Sequence, residues 1–256
     1  MKNIILFSTF LLLMYNPIYG QVTHFVTSGS IEFEKKVNIY VIIKKSIPQN
    51  NDIFLKALES YKQDNPQFKT LHSTLRFSNN KTLFLPLLTD DNSQDVFGNS
   101  PIINQNNIIY DDFATGNFIC QKKVFEQTFL VKDSIRKIKW KITDETREIA
   151  GYACRRANAI ILDSIYVVAF YTLQIPVSGG PESFNGLPGM ILGVALPHEN
   201  ISWFAKTVNE EKEPVSPLKP PTKGKVVDEK GLIDALSNDF KNWGQRANAY
   251  LKAFIL

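Results

Sequence analysis

The amino-acid sequence predicts a mainly β protein with α additions (α+β), a curved antiparallel sheet or open half-barrel covered by a C-terminal helix. Three features carry that expectation. Apolar residues recur with a period of two through much of residues 30–208, the spacing of half-buried strands. Short polar runs rich in Asn, Asp, Ser and Gly separate those stretches, as tight turns between antiparallel neighbours require. Only near the end does the period become that of a long amphipathic helix.

The chain opens on Met1-Lys2-Asn3, followed by an apolar run from Ile4 to Met14 that only Ser8 and Thr9 interrupt. Such a run falls short of the roughly 20 residues that cross a bilayer, and suits the core of an export signal. Tyr15-Asn16-Pro17 breaks the helix and Gly20 offers a small residue for cleavage, so residues 1–20 are read as a signal peptide. No later run is long and apolar enough to cross a membrane. The mature chain is therefore expected in the periplasm or at the cell surface, without a membrane span. Removing Lys2 leaves 28 basic (29 − 1) against 25 acidic residues, a net +3. That excess is too small to imply nucleic acid as a partner.

Residues 21–209 read as one β-rich domain. Ile31, Phe33, Val37, Ile39, Val41 and Ile43 share one parity and predict a strand ending before Pro48. Asp52 to Gln63 carries Ile53, Phe54, Ala57, Leu58 and Tyr61 at helical spacing, with Asp52 as N-cap. Strands over 68–77 and 81–87 flank a turn at Ser78-Asn79-Asn80. Residues 89–107 read as a long polar surface loop. Phe125, Phe129 and Val131 then share a parity, and Asp133-Ser134 reads as a turn. Ile138, Trp140 and Ile142 alternate ahead of a turn at Thr143-Asp144-Glu145. A strand over 149–162 turns at Asp163-Ser164 into Ile165–Leu173, whose β-branched and aromatic residues mark a central strand. A last pair, 190–196 and 202–208, surrounds Pro197-His198-Glu199-Asn200. Residues 210–226 form a Pro- and Lys-rich linker. In the segment 227–256, one long helix places Leu232, Leu236, Phe240, Trp243, Ala247, Tyr250, Leu251 and Phe254 near one face, despite Gly244. That face is too apolar to remain in water and is expected to dock on the sheet.

Cys120 and Cys154 leave two alternatives open, a disulfide permitted by an oxidising compartment or two buried thiols acting as small apolar residues. His24, His72 and His198 are isolated. Asp90, Asp91 and Asp95, and Asp111-Asp112 with Asn106 and Asn107, gather oxygen ligands but lack the glycine-fixed spacing of a calcium loop. They read as solvated loop. Ser178-Gly179-Gly180 lacks the Gly-x-Ser-x-Gly pattern of a nucleophile elbow. No metal, cofactor or catalytic residue is assigned.

The densest turn chemistry runs from Ile175 to Leu192, with three prolines and four glycines between two strands. Gly186-Leu187-Pro188-Gly189-Met190-Ile191 within it resembles the motif of the GLPGLI family, with Met190 in place of the usual Leu, a swap that keeps volume and apolarity. The flanks resemble the family too, among them Gly29–Asn38, Trp140-Lys141-Ile142, Gly151–Ala157, Ala169–Thr172 and the positions Pro197, Asn200, Trp203 and Ala205. The resemblance implies a secreted protein typical of Bacteroidetes. It supplies no agreed activity, although family members often accompany outer-membrane import systems. Asp133-Ser134-Ile135 and Asp163-Ser164-Ile165 also resemble the O-glycosylation signal of Bacteroidetes envelope proteins, with Ser134 and Ser164 as acceptors, and each is also good turn chemistry.

The expected function is that of a non-catalytic binding or accessory protein holding an apolar small molecule or an envelope partner. Pro181, Phe184, Gly186, Leu187, Pro188, Gly189 and Met190 of the motif loop are the candidate binding residues. Two alternatives stand beside it: an exported hydrolase with a dispersed carboxylate or metal site, and a structural partner protein using its C-terminal helix.

Overall fold

A computed structural model describes residues 24–46, 51–87, 103–104, 106–211 and 217–256 of the chain. The expected signal peptide and its cleavage point after Gly20 lie outside the described residues, as do Asp90, Asp91 and Asp95 and part of the linker.

The fold is mainly β with small helical additions. Twelve strands form one open sheet. They are β1 (Ser28–Asn38), β2 (Phe68–Ser78), β3 (Lys81–Leu87), β4 (Ile108–Asp112), β5 (Asn117–Val124), β6 (Gln127–Ser134), β7 (Lys141–Ile149), β8 (Tyr152–Ile161), β9 (Ile165–Thr172), β10 (Met190–Leu196), β11 (Ile201–Glu210) and β12 (Lys225–Val227). The helices are α1 (Ile39–Ser46), α2 (Asp52–Asp64), α3 (Glu229–Asp239) and α4 (Gln245–Ile255). The strand order is β12-β6-β5-β4-β3-β2-β1-β11-β10-β9-β8-β7. One meander thus grows from β1 to β6, and a second returns from β7 to close against the other side of β1. All pairs are antiparallel except β12 with β6.

This order forces curvature. In a flat sheet the ten steps from β6 to β7 would span about 48 Å. Residues 135–140, which join the two strands, reach about 25 Å at full extension. The sheet therefore curls until its two ends approach each other.

The hairpins follow from local chemistry. Asn79 and Asn80 both adopt positive φ, 48° and 62°, between β2 and β3, and Leu162 and Asp163 do so, at 47° and 61°, between β8 and β9. Paired positive φ values make the two-residue turn whose twist matches its flanking strands, and Asn and Asp tolerate that geometry best.

Several elements depart from the sequence reading. The first strand ends at Asn38, and Ile39–Ser46 is helical. Asn38 Oδ1 accepts from the Val41 amide at 3.3 Å and starts that helix. The α2 helix is capped by Asn51, whose side chain accepts from the Phe54 amide, not by Asp52. Phe125 sits in the β5–β6 turn with φ 51°, outside either strand. Thr143-Asp144-Glu145 is a bulge inside β7, where the pairing with β8 shifts between Ile142 and Thr146. The real turn is Ala150-Gly151, with φ of 51° and 82°. Ile138 and Trp140 precede β7. The final helix is broken in two: Gly244 takes φ 57°, a value a continuous helix does not hold, and α4 starts afresh after it.

Cys120 on β5 and Cys154 on β8 are buried and free. Their strands stand eight places apart in the sheet order, so of the two alternatives the chain has unbridged thiols. Burial pushes each up to about 12.

Candidate functional site

The motif loop between β9 and β10 is interior, not a rim. Pro181 to Asn185, Leu187, Gly189 and Met190 are buried, while Gly186 and Pro188 remain exposed. Backbone bonds fold the loop onto itself and onto β10: the Gly186 amide donates to Ser178 O at 2.9 Å, Met190 to Ile175 O at 2.9 Å, and Ile191 to Gly179 O at 2.8 Å. Gly186 has φ +90°, and a Cβ on Gly189 would lie 2.0 Å from Thr172 O. The two glycines are thus required for different reasons, one for its dihedral and one for a backbone contact. Phe184 packs on Trp203 of β11, ring centroids 5.8 Å apart. Trp140 Nε1 donates to Asn185 O at 2.8 Å. The loop is therefore tied to β11 and to the segment that joins the two meanders.

Polar groups in this interior come from strand positions that should be apolar. Ile31, Phe33, Lys35 and Val37 share the inward face of β1, and Cys120, Lys122 and Val124 that of β5; all seven are buried. Two lysines thus point into the core. The Lys35 ammonium donates to Ile103 O at 3.0 Å and lies 5.1 Å from the Trp203 ring centre. Lys122 donates to Phe254 O. Between them Glu182, in the left-handed region at φ 50°, accepts from Asn107 Nδ2 at 3.0 Å. Burial lowers the pKa of Lys35 and of Lys122 and raises that of Glu182, the mutual attraction of these charges partly opposing each shift.

A pocket open to solvent lies between β4–β6 and the C-terminal helices. Its walls are Ile109, Phe118, Val131, Leu232 and Phe254. Its polar end holds Lys122, Arg136, Asn185 and Glu229. Arg136 Nη2 donates to Glu229 Oε1 at 2.5 Å and to Ile255 O at 2.8 Å, and Ser183 Oγ donates to Leu256 O. The carbonyl oxygens of residues 254 and 255 and a terminal oxygen of Leu256 are therefore held by Lys122, Arg136 and Ser183. Arg136 Nη1 and Asn185 Oδ1 are buried without a hydrogen-bond partner. The motif loop brings two residues, Ser183 and Asn185, to the pocket; of the predicted binding residues none lines it. The missed signal was in the sequence: a lysine at the inward parity of two strands.

A second pocket open to solvent is lined by Lys35, His72, Ser73, Phe84, Glu182 and Trp203 among others.

Asp111 and Asp112 are not solvated loop; they end β4. Asp111 is buried, and desolvation pushes it up to about 7 against the weak opposing bond from Thr82. Asp112 accepts from the Ala114 and Thr115 amides at 3.1 and 3.3 Å and pairs with Lys81. Among the described residues, no three His, Cys, Asp or Glu side chains gather as a metal ion requires, and no helix is long and apolar enough to cross a membrane. Ser134 and Ser164 are both exposed. Ser134 ends β6 beside Asp133, which accepts from the Glu229 amide at 3.0 Å, and Ser164 accepts from Lys252 at 2.6 Å.

Residues 161–193, which take in the motif loop, match the model of a family described as a protein of unknown function (Porph_ging). That description carries neither the GLPGLI name nor an activity. No curated protein matches the chain. Two structures of PNGF-II, in the P21 and C2 space groups, are similar, with TM-scores of 0.51 and 0.52 and identities of 14% and 13%. Each match covers 81% of this chain and 32% of that one, so the chain spans about a third of the PNGF-II length. At this identity the likeness is one of fold: the chain shares its architecture with part of PNGF-II and a short signature with a family of unstated function.

Proposed function

We propose that the chain is an exported, non-catalytic binding protein of the envelope, holding an apolar or amphiphilic small molecule in the pocket between β4–β6 and the C-terminal helices. In this reading α3 and α4 are the cover of the sheet. Leu232, Leu236, Phe240 and Phe254 are buried, and Phe240, Trp243 and Phe254 gather round Phe125 at ring separations of 6.1, 5.7 and 5.8 Å. A helix whose apolar stripe is spent within its own chain suits a lid better than an arm for a partner.

The observation that carries the reading is a largely apolar concavity with a few convergent polar groups, the usual form of a small-molecule site. The motif loop contributes its rigidity, setting Ser183 and Asn185 at the polar end.

Titration with the dye N-phenyl-1-naphthylamine tests it. Wild type is expected to bind saturably at one site, and Val131→Trp, which fills the pocket from β6, to lose binding while keeping its circular dichroism and melting transition. Equal binding by the two, or none by wild type, overturns the reading.

A further inference from the structure

Ile53, Phe54 and Leu55, consecutive in the first turn of α2, are 79%, 46% and 41% exposed. Among the described residues, no other run of consecutive large apolar side chains is left in water. The rest of the α1–α2 hairpin is anchored. Ile39, Ile43 and Leu58 are buried. The Tyr40 hydroxyl donates to Lys62 O at 3.2 Å and to Asn65 O, and the Tyr40 and Tyr61 rings meet edge to face at 6.4 Å. Those contacts hold the start of α1 against the end of α2. The end of α1 and the start of α2, joined by residues 47–51, make the opposite end of the hairpin, and the exposed run is there.

The directions of these side chains say what covers them. Successive residues step by about 100° around a helix, so three in a row sweep about 200°. A protein groove takes one stripe of a helix, at i, i+3, i+4 and i+7. A turn that is apolar over more than half its circumference is covered by a fluid phase that closes on it from several sides.

Charge identifies the phase. Residues 44–58 hold Lys44, Lys45 and Lys56 against Asp52, 3 − 1 = +2, and all four are exposed. Lys45 donates to His198 O, while Glu59, the next acidic residue, is taken up by Lys62 at 2.7 Å. Lysines beside an apolar tip lay their stems along it and carry their ammonium groups to the level of lipid headgroups.

We propose that the tip of the α1–α2 hairpin docks on a membrane surface that contains anionic lipid, with Ile53, Phe54 and Leu55 at the acyl boundary and Lys44 and Lys56 among the headgroups. Three side chains give a reversible, peripheral attachment and not a span. The attachment is independent of the pocket beneath α3 and α4.

Vesicle flotation tests it, using protein exported by the producing cell, with the same N-terminus on wild type and variants verified by intact mass. Wild type is expected to float with vesicles of phosphatidylcholine and phosphatidylglycerol. Ile53→Gln/Phe54→Gln/Leu55→Gln, which keeps a helix-compatible residue at each exposed position, should bind about tenfold or more weaker with an unchanged melting transition. Lys44→Gln/Lys56→Gln should lose most of the difference between vesicles with and without phosphatidylglycerol. Phe54→Trp adds an indole whose emission brominated acyl chains should quench beyond any quenching of wild type. Wild type that does not float, a triple variant that floats equally, or an added indole untouched by brominated lipid overturns the proposal. Lipid-free self-association of wild type that the triple variant lacks, with no flotation of either, would make the tip a contact between copies and would equally overturn it.

Discussion

Lys122 on β5 donates its ammonium to the carbonyl of Phe254 in the last turn of α4, so a lysine inside the sheet fastens a helix that lies over it. Phe254 is 1% exposed and Lys122 6%, which places the bond where water does not compete with it.

Lys122→Met keeps the stem and removes the bond. A hydrogen bond from a charged donor contributes about 1.5–3 kcal/mol, but the substitution also relieves a desolvated charge. Global stability should therefore change little, while α4 opens more easily. Hydrogen exchange over residues 245–256 is expected to quicken about tenfold or more; unchanged protection there would refute the fastening role.

Gly189→Ala should be more damaging than Gly186→Ala. The first drives a methyl to 2.0 Å from a backbone oxygen, whereas the second only strains a residue at φ +90°. Urea unfolding should show a loss of about 1 kcal/mol for Gly186→Ala, and several times that, or no folded protein, for Gly189→Ala. The reverse order would mean that the loop backbone is placed otherwise.

Asp111 sets a pH dependence. Its folded pKa of about 7 stands above the ordinary 3.8, so the fold prefers the protonated acid. That contribution is fully present below about pH 4 and is lost as pH rises to 7, on the order of 4 kcal/mol at most. Asp111→Asn lacks the titration. Its stability relative to wild type should improve between pH 4.5 and pH 8 in urea melts, the shift of Glu182 cancelling because both proteins retain it. Parallel curves would contradict the burial of a titrating Asp111.

Trp140→Phe deletes the donor to Asn185 O and leaves that carbonyl without its bond. A loss of about 1–2 kcal/mol is expected in urea unfolding. A wild-type unfolding curve would show that the loop does not depend on this strap.

Much of the architecture was legible before any coordinates. Asn79-Asn80 announced its hairpin because only a few residue types accept paired positive φ, whereas Asp163-Ser164 marked its turn one residue late, the positive pair being Leu162-Asp163. Ile39–Ile43 misled for a physical reason: positions 39 and 43 satisfy both a period of two and an i, i+4 spacing, and the choice fell to the Asn38 cap. Ala150-Gly151 was hidden inside an apolar run. Gly244 was visible as a residue but not as a break, since both halves keep their apolar residues toward the same neighbours. The candidate site was half legible. Lys35 and Lys122 stand at inward parity in plain view, yet their meeting with Glu182 depends on a curl that no local pattern specifies. The motif loop announced rigidity through its prolines and glycines, but not that it would be swallowed by the interior.

The pairing of β1 with β11 sets Val37 against Ile201 and Gly29 against Glu210, so β1 gains its second neighbour only after nearly all of the sheet has emerged. Until residue 210 has emerged, one flank of an 11-residue strand offers unpaired amides and carbonyls to any other chain. Closure across such sequence separation is slow. A chain cut short between 135 and 200 would carry that flank permanently, and its fate would be adhesion to its own copies rather than a smaller working protein.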